Sequence, residues 1–215
     1  MIDACHPSTA TRRRVLAGAL ASAGTLAACV PSLPGQGPAP RTFRLTSKNT
    51  YPPDLPHVNW SLAVAEPNAE PALDTTRIAV VSDGIAVDYV ALSSWVDRGP
   101  AMVQALLVQS FQGSGRIEAV GTDRDRLRAQ YLLRSDLRAF QLNRNGGDAV
   151  VRVRLDTTLL RLPRREIVAR ESFAANVAPE GRGVDAVVAA FDAALGSVLK
   201  QTVAWTLRTG QSVSV

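Results

Sequence analysis

The chain is poor in the side chains that usually do chemistry. Its 215 residues hold two cysteines and two histidines, and aromatic residues make up 5% of it. Cys5 and His6 sit at the extreme N-terminus, which leaves His57, in "YPPDLPHVNW", as the one imidazole of the rest. A single imidazole has no second ligand for zinc and no partner for a Ser-His-Asp arrangement. There is no G-x-S-x-G nucleophile elbow, since "FQGSGR" lacks the first glycine at the right offset, and no P-loop. The scarcity of aromatics removes the stacking platforms that single-stranded nucleic acid needs. The formal net charge of +5 is a mild excess spread along the chain, not a nucleic-acid footprint. No metal, cofactor or nucleic-acid partner is therefore expected. Long apolar runs are missing too. Residues 15–28, "VLAGALASAGTLAA", would rise only about 21 Å as a helix, short of a bilayer core of about 30 Å, and no later run approaches 18 apolar residues, so no transmembrane helix is expected.

What is present begins at that short run. Arg12, Arg13 and Arg14 precede it, the layout of a secretory signal peptide. Leu26-Ala27-Ala28-Cys29 resembles the bacterial lipobox, in which the cysteine thiol takes diacylglycerol and the chain is cut just before it. Acyl chains contribute about 0.8 kcal/mol per buried CH₂, so two or more hold a protein on a bilayer where one does not. Cys29 is the expected lipidation site. The alternative is a free, small apolar cysteine inside a plain signal or a buried helix. Thr11-Arg12-Arg13-Arg14-Val15-Leu16 suits either twin-arginine or general export. Residues 1–28 carry three arginines and one aspartate, so the mature chain is +3. The segment "VPSLPGQGPAP" has four prolines and two glycines in eleven residues and cannot hold a helix or a central strand. The expected organisation is a signal peptide at 1–28, a lipidated, Pro/Gly-rich tether at 29–41, one folded domain at 42–207 and a tail at 208–215.

Within the domain, period-2 patterns dominate. "WSLAVAEP" from Trp60, "RIAVVSD" from Arg77 and "IAVDYVAL" from Ile85 read as strands, the second nearly all apolar and therefore central. Residues 130–142 place Tyr131, Leu133, Leu137 and Ala139 on one face and Arg134, Asp136 and Arg138 on the other. Residues 149–160 alternate Val151, Val153 and Leu155 with Arg152, Arg154 and Asp156. Ile167, Ala169, Phe173 and Val177 share a face in the last strand. "RNGGD" and "LPRRE" read as hairpin turns, giving an antiparallel meander with one wet face. Gly99-Pro100 starts a helix that Gly113 stops, with Val103, Leu106, Leu107 and Phe111 as its buried stripe. A second helix spans about 183–207, with Val184, Val188, Phe191, Leu195, Val198 and Trp205 at 3–4 spacing. The fold class is α+β: a single domain, mainly antiparallel sheet, with two helices packed on one face.

Candidate sites are few. Asp123 and Asp125 in "TDRDRLR" are flanked by arginines and read as a solvated turn. Asp74, ahead of Thr75 and Thr76, reads as a residue that fixes the start of a strand through local backbone N–H groups. Gly181-Arg182-Gly183-Val184-Asp185-Ala186 matches G-x-G-x-x-A but has no room for a following strand and ribose-binding acid, so it reads as a helix-start loop. "LSSWVDRGP" clusters Trp95, Asp97 and Arg98 where a strand meets a helix, either as a capped helix start with the indole in the core or as a partner-contact patch, since Trp and Arg are favoured anchors.

Several segments together carry a resemblance. Leu73-Asp74-Thr75-Thr76-Arg77-Ile78, Tyr89, Trp95-Val96-Asp97-Arg98, Pro100, Gln104, Tyr131, "DAVVAAFDAAL" and a late Trp are similar to the ABC-type transport auxiliary lipoprotein family, which includes the lipoprotein of the Pqi (paraquat-inducible) system. The likeness spans residues 42–206 and agrees with the lipobox. It implies a non-catalytic component of an MCE-type ABC transporter in intermembrane lipid transport, held at the periplasmic face of the outer membrane by its lipid. The implied partners are an MCE-domain protein and the permease and ATPase, and the implied assembly is a homo-oligomeric ring. Val30 follows the cysteine where inner-membrane retention uses Asp. A lipid-anchored binding protein for a small apolar ligand is the alternative, and an envelope hydrolase would need acidic groups gathered round His57 or Asp74.

Overall fold

Fifteen consecutive residues of extended chain, β7 (Tyr131–Asn145), organise the sheet. The computed structural model describes residues 39–213, so Cys29, the signal and most of the tether lie outside it. Eight further strands surround β7: β1 (Arg41–Phe43), β2 (Val58–Val64), β3 (Asn68–Ala69), β4 (Arg77–Ser82), β5 (Ala86–Trp95), β6 (Ile117–Thr122), β8 (Asp148–Arg161) and β9 (Glu166–Val177). At about 3.3 Å per residue β7 extends about 50 Å, long enough for β2, β3 and β4 to line up in turn along one edge. All three pair with it in parallel. The other edge carries β8, and β8 carries β9, both antiparallel. Beyond β2 lies β6, parallel to it. Beyond β4 come β5, antiparallel, and then β1, parallel to β5.

The expected hairpins β7–β8 and β8–β9 form, β4 is interior, and β4 and β5 make a further antiparallel hairpin. Gly146 and Gly147 close the β7–β8 turn with φ of 57° and 109°, a conformation that glycine adopts without a Cβ clash. The sheet exceeds a simple meander because β2, β4 and β6 reach their neighbours through crossover connections.

Two bulges correct the expected faces. In β7, Leu137 opposes Leu155 and Ala139 opposes Arg154, so Arg138 is the extra residue. A bulge shifts the alternation by one. Phe140 and Leu142, rather than Ala139, therefore join Tyr131, Leu133 and Leu137 in the main core. In β9, Ala169 opposes Leu159 and Ile167 opposes Leu160. Ile167 thus falls out of step with Ala169 and is 53% exposed.

Helix α1 (Gly99–Ser114) has Pro100 in its first turn and ends at Gly115, which is left-handed, two residues beyond the expected stop. Helix α2 (Val184–Val213) runs past Leu207, so residues 208–213 continue a helix instead of forming a tail. Gly210 lies directly against the Trp60 ring, and this contact gives the last turns a place to pack. By length and hydropathy α2 could cross a membrane. Here its apolar face packs on β8, β9 and α1. One continuous core joins both helices to the sheet, with Phe111, Phe191, Leu195 and Leu107 fully buried.

Candidate functional site

Several of the segments that carry the family resemblance, residues 73–78 and 95–100 among them, meet at one place, the junction of β4, β5 and α1, while Tyr131 packs elsewhere, against Trp60. The Arg98 guanidinium bridges two carboxylates, Asp74 just ahead of β4 and Glu66 in the loop after β2, the latter at 2.5 Å. Glu66 also takes Arg124 at 2.8 Å. Glu66 first, and then Asp74, hold the Arg98 proton more tightly than in the free side chain. Backbone bonds reinforce the junction. The Trp95 N–H donates to the Thr76 carbonyl at 2.7 Å, and the Gly99 N–H to that of Thr75 at 3.1 Å. Gly99 sits so close to the Leu73 carbonyl that a Cβ would approach it to 2.7 Å, so no larger residue fits there without a shift. The Arg77 guanidinium lies 3.8 Å from the Tyr89 ring centroid. From buried Gln104, the side-chain N–H donates to the Val64 carbonyl at 2.9 Å and to Asp123 at 3.2 Å.

These contacts revise the role of Asp74. The Thr75 hydroxyl, not Asp74, accepts the Arg77 N–H at 3.2 Å, while Asp74 reaches across to Arg98. A hydroxyl one residue on is placed for the local bond, leaving the longer carboxylate reach for the ion pair. Trp95 is 2% exposed and packs against Phe140 and Phe191, with centroids 5.5 and 5.1 Å away. Its ring is closed to a partner, while Asp97 is exposed and Arg98 half-buried beside it. Asp125 accepts the Thr122 N–H at 2.6 Å, closing a turn, and α2 starts directly after Gly183. His57 is exposed. Among the described residues no three His, Cys, Asp or Glu side chains group to hold a metal. Glu66 was missed by sequence reasoning, since "AVAEPNA" gives no sign that it will stand between two arginines 32 and 58 residues away. The junction holds the Asp74 and Glu66 carboxylates in ion pairs with Arg98. Its role is to lock a strand pair onto a helix.

A second feature lies alongside. On the outer edge of β5, β1 covers only Ser93–Trp95, and among the described residues no strand covers positions 86–92. Val87 and Leu92 are exposed on this strand, and two exposed apolar residues flank it, Ile85 (89% exposed) before it and Val96 after it. Natural edges of this kind are usually blunted by charge or covered.

Known proteins share this architecture. A crystal structure of a Xanthomonas campestris protein superposes with a TM-score of 0.77 at 30% identity, covering 81% of this chain and 98% of that one. An uncharacterised protein of Bradyrhizobium diazoefficiens is 28% identical over 185 residues, 86% of this chain. The present chain spans about half the length of that curated relative. Another solved structure, at 12% identity and a TM-score of 0.56, shares the fold. The description of the family that matches residues 43–203 is "ABC-type transport auxiliary lipoprotein component". The chain belongs to this family of cell-envelope auxiliary lipoproteins of ABC-type transport systems.

Proposed function

We propose that the protein is a non-catalytic docking component of an MCE-type ABC transporter moving lipid between membranes, anchored through acylated Cys29 at the periplasmic face of the outer membrane. Its work is done by contact: it binds the MCE-domain protein and, through it, the permease and ATPase. The observation that carries this reading is the edge of β5 over positions 86–92, uncovered among the described residues, with Val87 and Leu92 exposed on it and exposed Ile85 just ahead of it. An unpaired edge with projecting apolar side chains is suited to take an extended segment of a partner. The rigid junction beneath it, with Arg98 tied to Glu66 and Asp74, supports the same reading by holding that edge in one position.

The test is co-purification of the MCE-domain protein with wild type, with Ile85→Lys/Val87→Lys and with Arg98→Glu. Loss of recovery with the edge variant, at unchanged thermal stability, is expected. Recovery equal to wild type removes the edge as the docking surface. Cys29→Ser moves the protein out of the membrane fraction if the anchor is as proposed, and intact mass of the wild type reads the acyl chains directly.

A further inference from the structure

The outer face of the β7–β8–β9 hairpins, turned away from the helices, is rich in arginine. Its charges sort into two groups by register. Asp136 and Asp156 stand directly opposite each other. Arg138 bridges both, at 3.4 and 3.2 Å, and Arg154 holds Asp156 at 3.0 Å. The Ser172 hydroxyl donates to Asp156 at 2.6 Å. That network is internally balanced. One row away, Arg134 opposes Thr158, and Thr158 opposes Arg170. Both arginines are exposed and have no ion-pair partner among the described residues, and Thr158 lies half-buried between them. With strands about 4.8 Å apart, their backbones stand about 10 Å from each other, within reach of two long side chains converging over one hydroxyl. They line a concavity of about 630 Å³ whose wall also holds Ile167, Glu171 and the paired Asp136 and Asp156; the Glu171 carboxylate accepts the Ser172 N–H at 3.2 Å, and Asp136 and Asp156 are taken up by Arg138 and Arg154. The next row is apolar: Leu132 and Leu160, both buried in a small separate cluster with Ala63, Ala65, Ala129 and Leu162, and exposed Ile167, with Leu160 and Ile167 reaching the concavity's wall.

We infer that Arg134 and Arg170 form a cradle for a phosphate group, with Thr158 as the central hydroxyl and the Leu160–Ile167 row receiving the apolar part of the molecule that carries it. Guanidinium forks match phosphate oxygens bidentately and make the stronger, charge-assisted class of hydrogen bond. A cationic row beside an apolar row fits a phospholipid headgroup better than free phosphate, which uses only the first. The inference does not rest on the docking reading, because this face is distinct from the β5 edge.

The test is calorimetric titration of the full chain carrying Cys29→Ser with three probes: inorganic phosphate, monomeric dihexanoylphosphatidylglycerol, and dihexanoylglycerol, which lacks phosphate. Expected is saturable binding of the phospholipid, weaker binding of phosphate and none of the diacylglycerol. Arg134→Ala/Arg170→Ala is expected to weaken the phospholipid by about tenfold or more, the scale of losing charged hydrogen bonds, with an unchanged melting temperature. Arg152→Ala, exposed on the same face, leaves it unaltered. Lysine at both positions retains an intermediate affinity. Phosphate bound as tightly as the phospholipid, and lost in the double variant, upholds the cradle and assigns it to a soluble phosphate ester. No saturable binding of either phosphate probe, or equal affinity in the double alanine variant, overturns the inference.

Discussion

Gly210, near the end of α2, lies against the indole of Trp60 on β2: a Cβ added at that glycine would stand 2.3 Å from the ring. Trp60 is buried and packs edge-on to Tyr131, 4.9 Å away, so the ring cannot swing aside. The contact seats the last turns of the helix against the strand at its base.

Gly210→Ala is therefore expected to destabilise the domain. Overpacking costs about 1–3 kcal/mol, whereas alanine in a helix returns about 1 kcal/mol. The net loss is on the order of 1 kcal/mol, visible as a lower melting temperature. Gly196→Ala, on the same helix, is the control. There the added methyl meets the far end of the flexible Lys48 side chain, which can move at the expense of its ion pair with Asp192, so this variant is expected to lose less stability than Gly210→Ala. If both variants shift the same way by similar amounts, close packing at Trp60 is not what Gly210 provides.

Trp95→Ala separates core from surface at the strand–helix junction. Removing an indole packed on Phe140 and Phe191 costs about 3–5 kcal/mol, whereas Asp97→Ala, at an exposed position, changes the denaturation midpoint little. A Trp95→Ala protein as stable as wild type would place the ring outside the core.

Gln104→Ala tests the polar tie inside α1. The residue is 7% exposed and satisfies the Val64 carbonyl. Truncation leaves a buried acceptor without its donor, at about 1–3 kcal/mol, measured by chemical denaturation. An unchanged midpoint would mean that solvent replaces the bond.

Acid should loosen the contact between α2 and the segment after β1. Partial burial of Asp192 opposes its ionisation, but the Thr46 backbone N–H at 2.6 Å, the Thr46 hydroxyl and the Lys48 ammonium at 3.1 Å outweigh it and hold its pKa below the ordinary aspartate value. The folded state thus releases this proton more readily than the unfolded chain does. Its contribution is complete above about pH 4 and is lost as pH falls through the folded pKa. Asp192→Asn is expected to be less stable than wild type at neutral pH, with the gap narrowing at pH 3. A gap of constant size in thermal melts at both pH values would show that ionisation of Asp192 contributes nothing.

Much of the local structure was legible in the residues. Asn145-Gly146-Gly147-Asp148 marked its turn, and Gly99-Pro100 marked the start of α1. Alternation marked the long strands, because turn chemistry and period act over a few neighbours. The two bulges were not legible as such, although the switch from odd to even core positions between Leu137 and Phe140 is the trace of the one in β7. At the candidate site, the motif residues Asp74, Arg98 and Gln104 could be singled out from the sequence. That the first two pair directly, with Glu66 as the second carboxylate on Arg98, could not.

The sequence alone determined the elements, the apolar stripes and the scarcity of catalytic side chains, all properties of short windows and composition. Only the tertiary structure decided that three strands share one edge of β7, that Trp95 turns inward, that no described strand covers positions 86–92 of β5 and that Arg134 and Arg170 flank Thr158. Strand order and register are fixed by hydrogen bonds and burial between residues far apart in the chain, and a repeat of two or 3.6 residues carries no information about which distant strand will stand alongside.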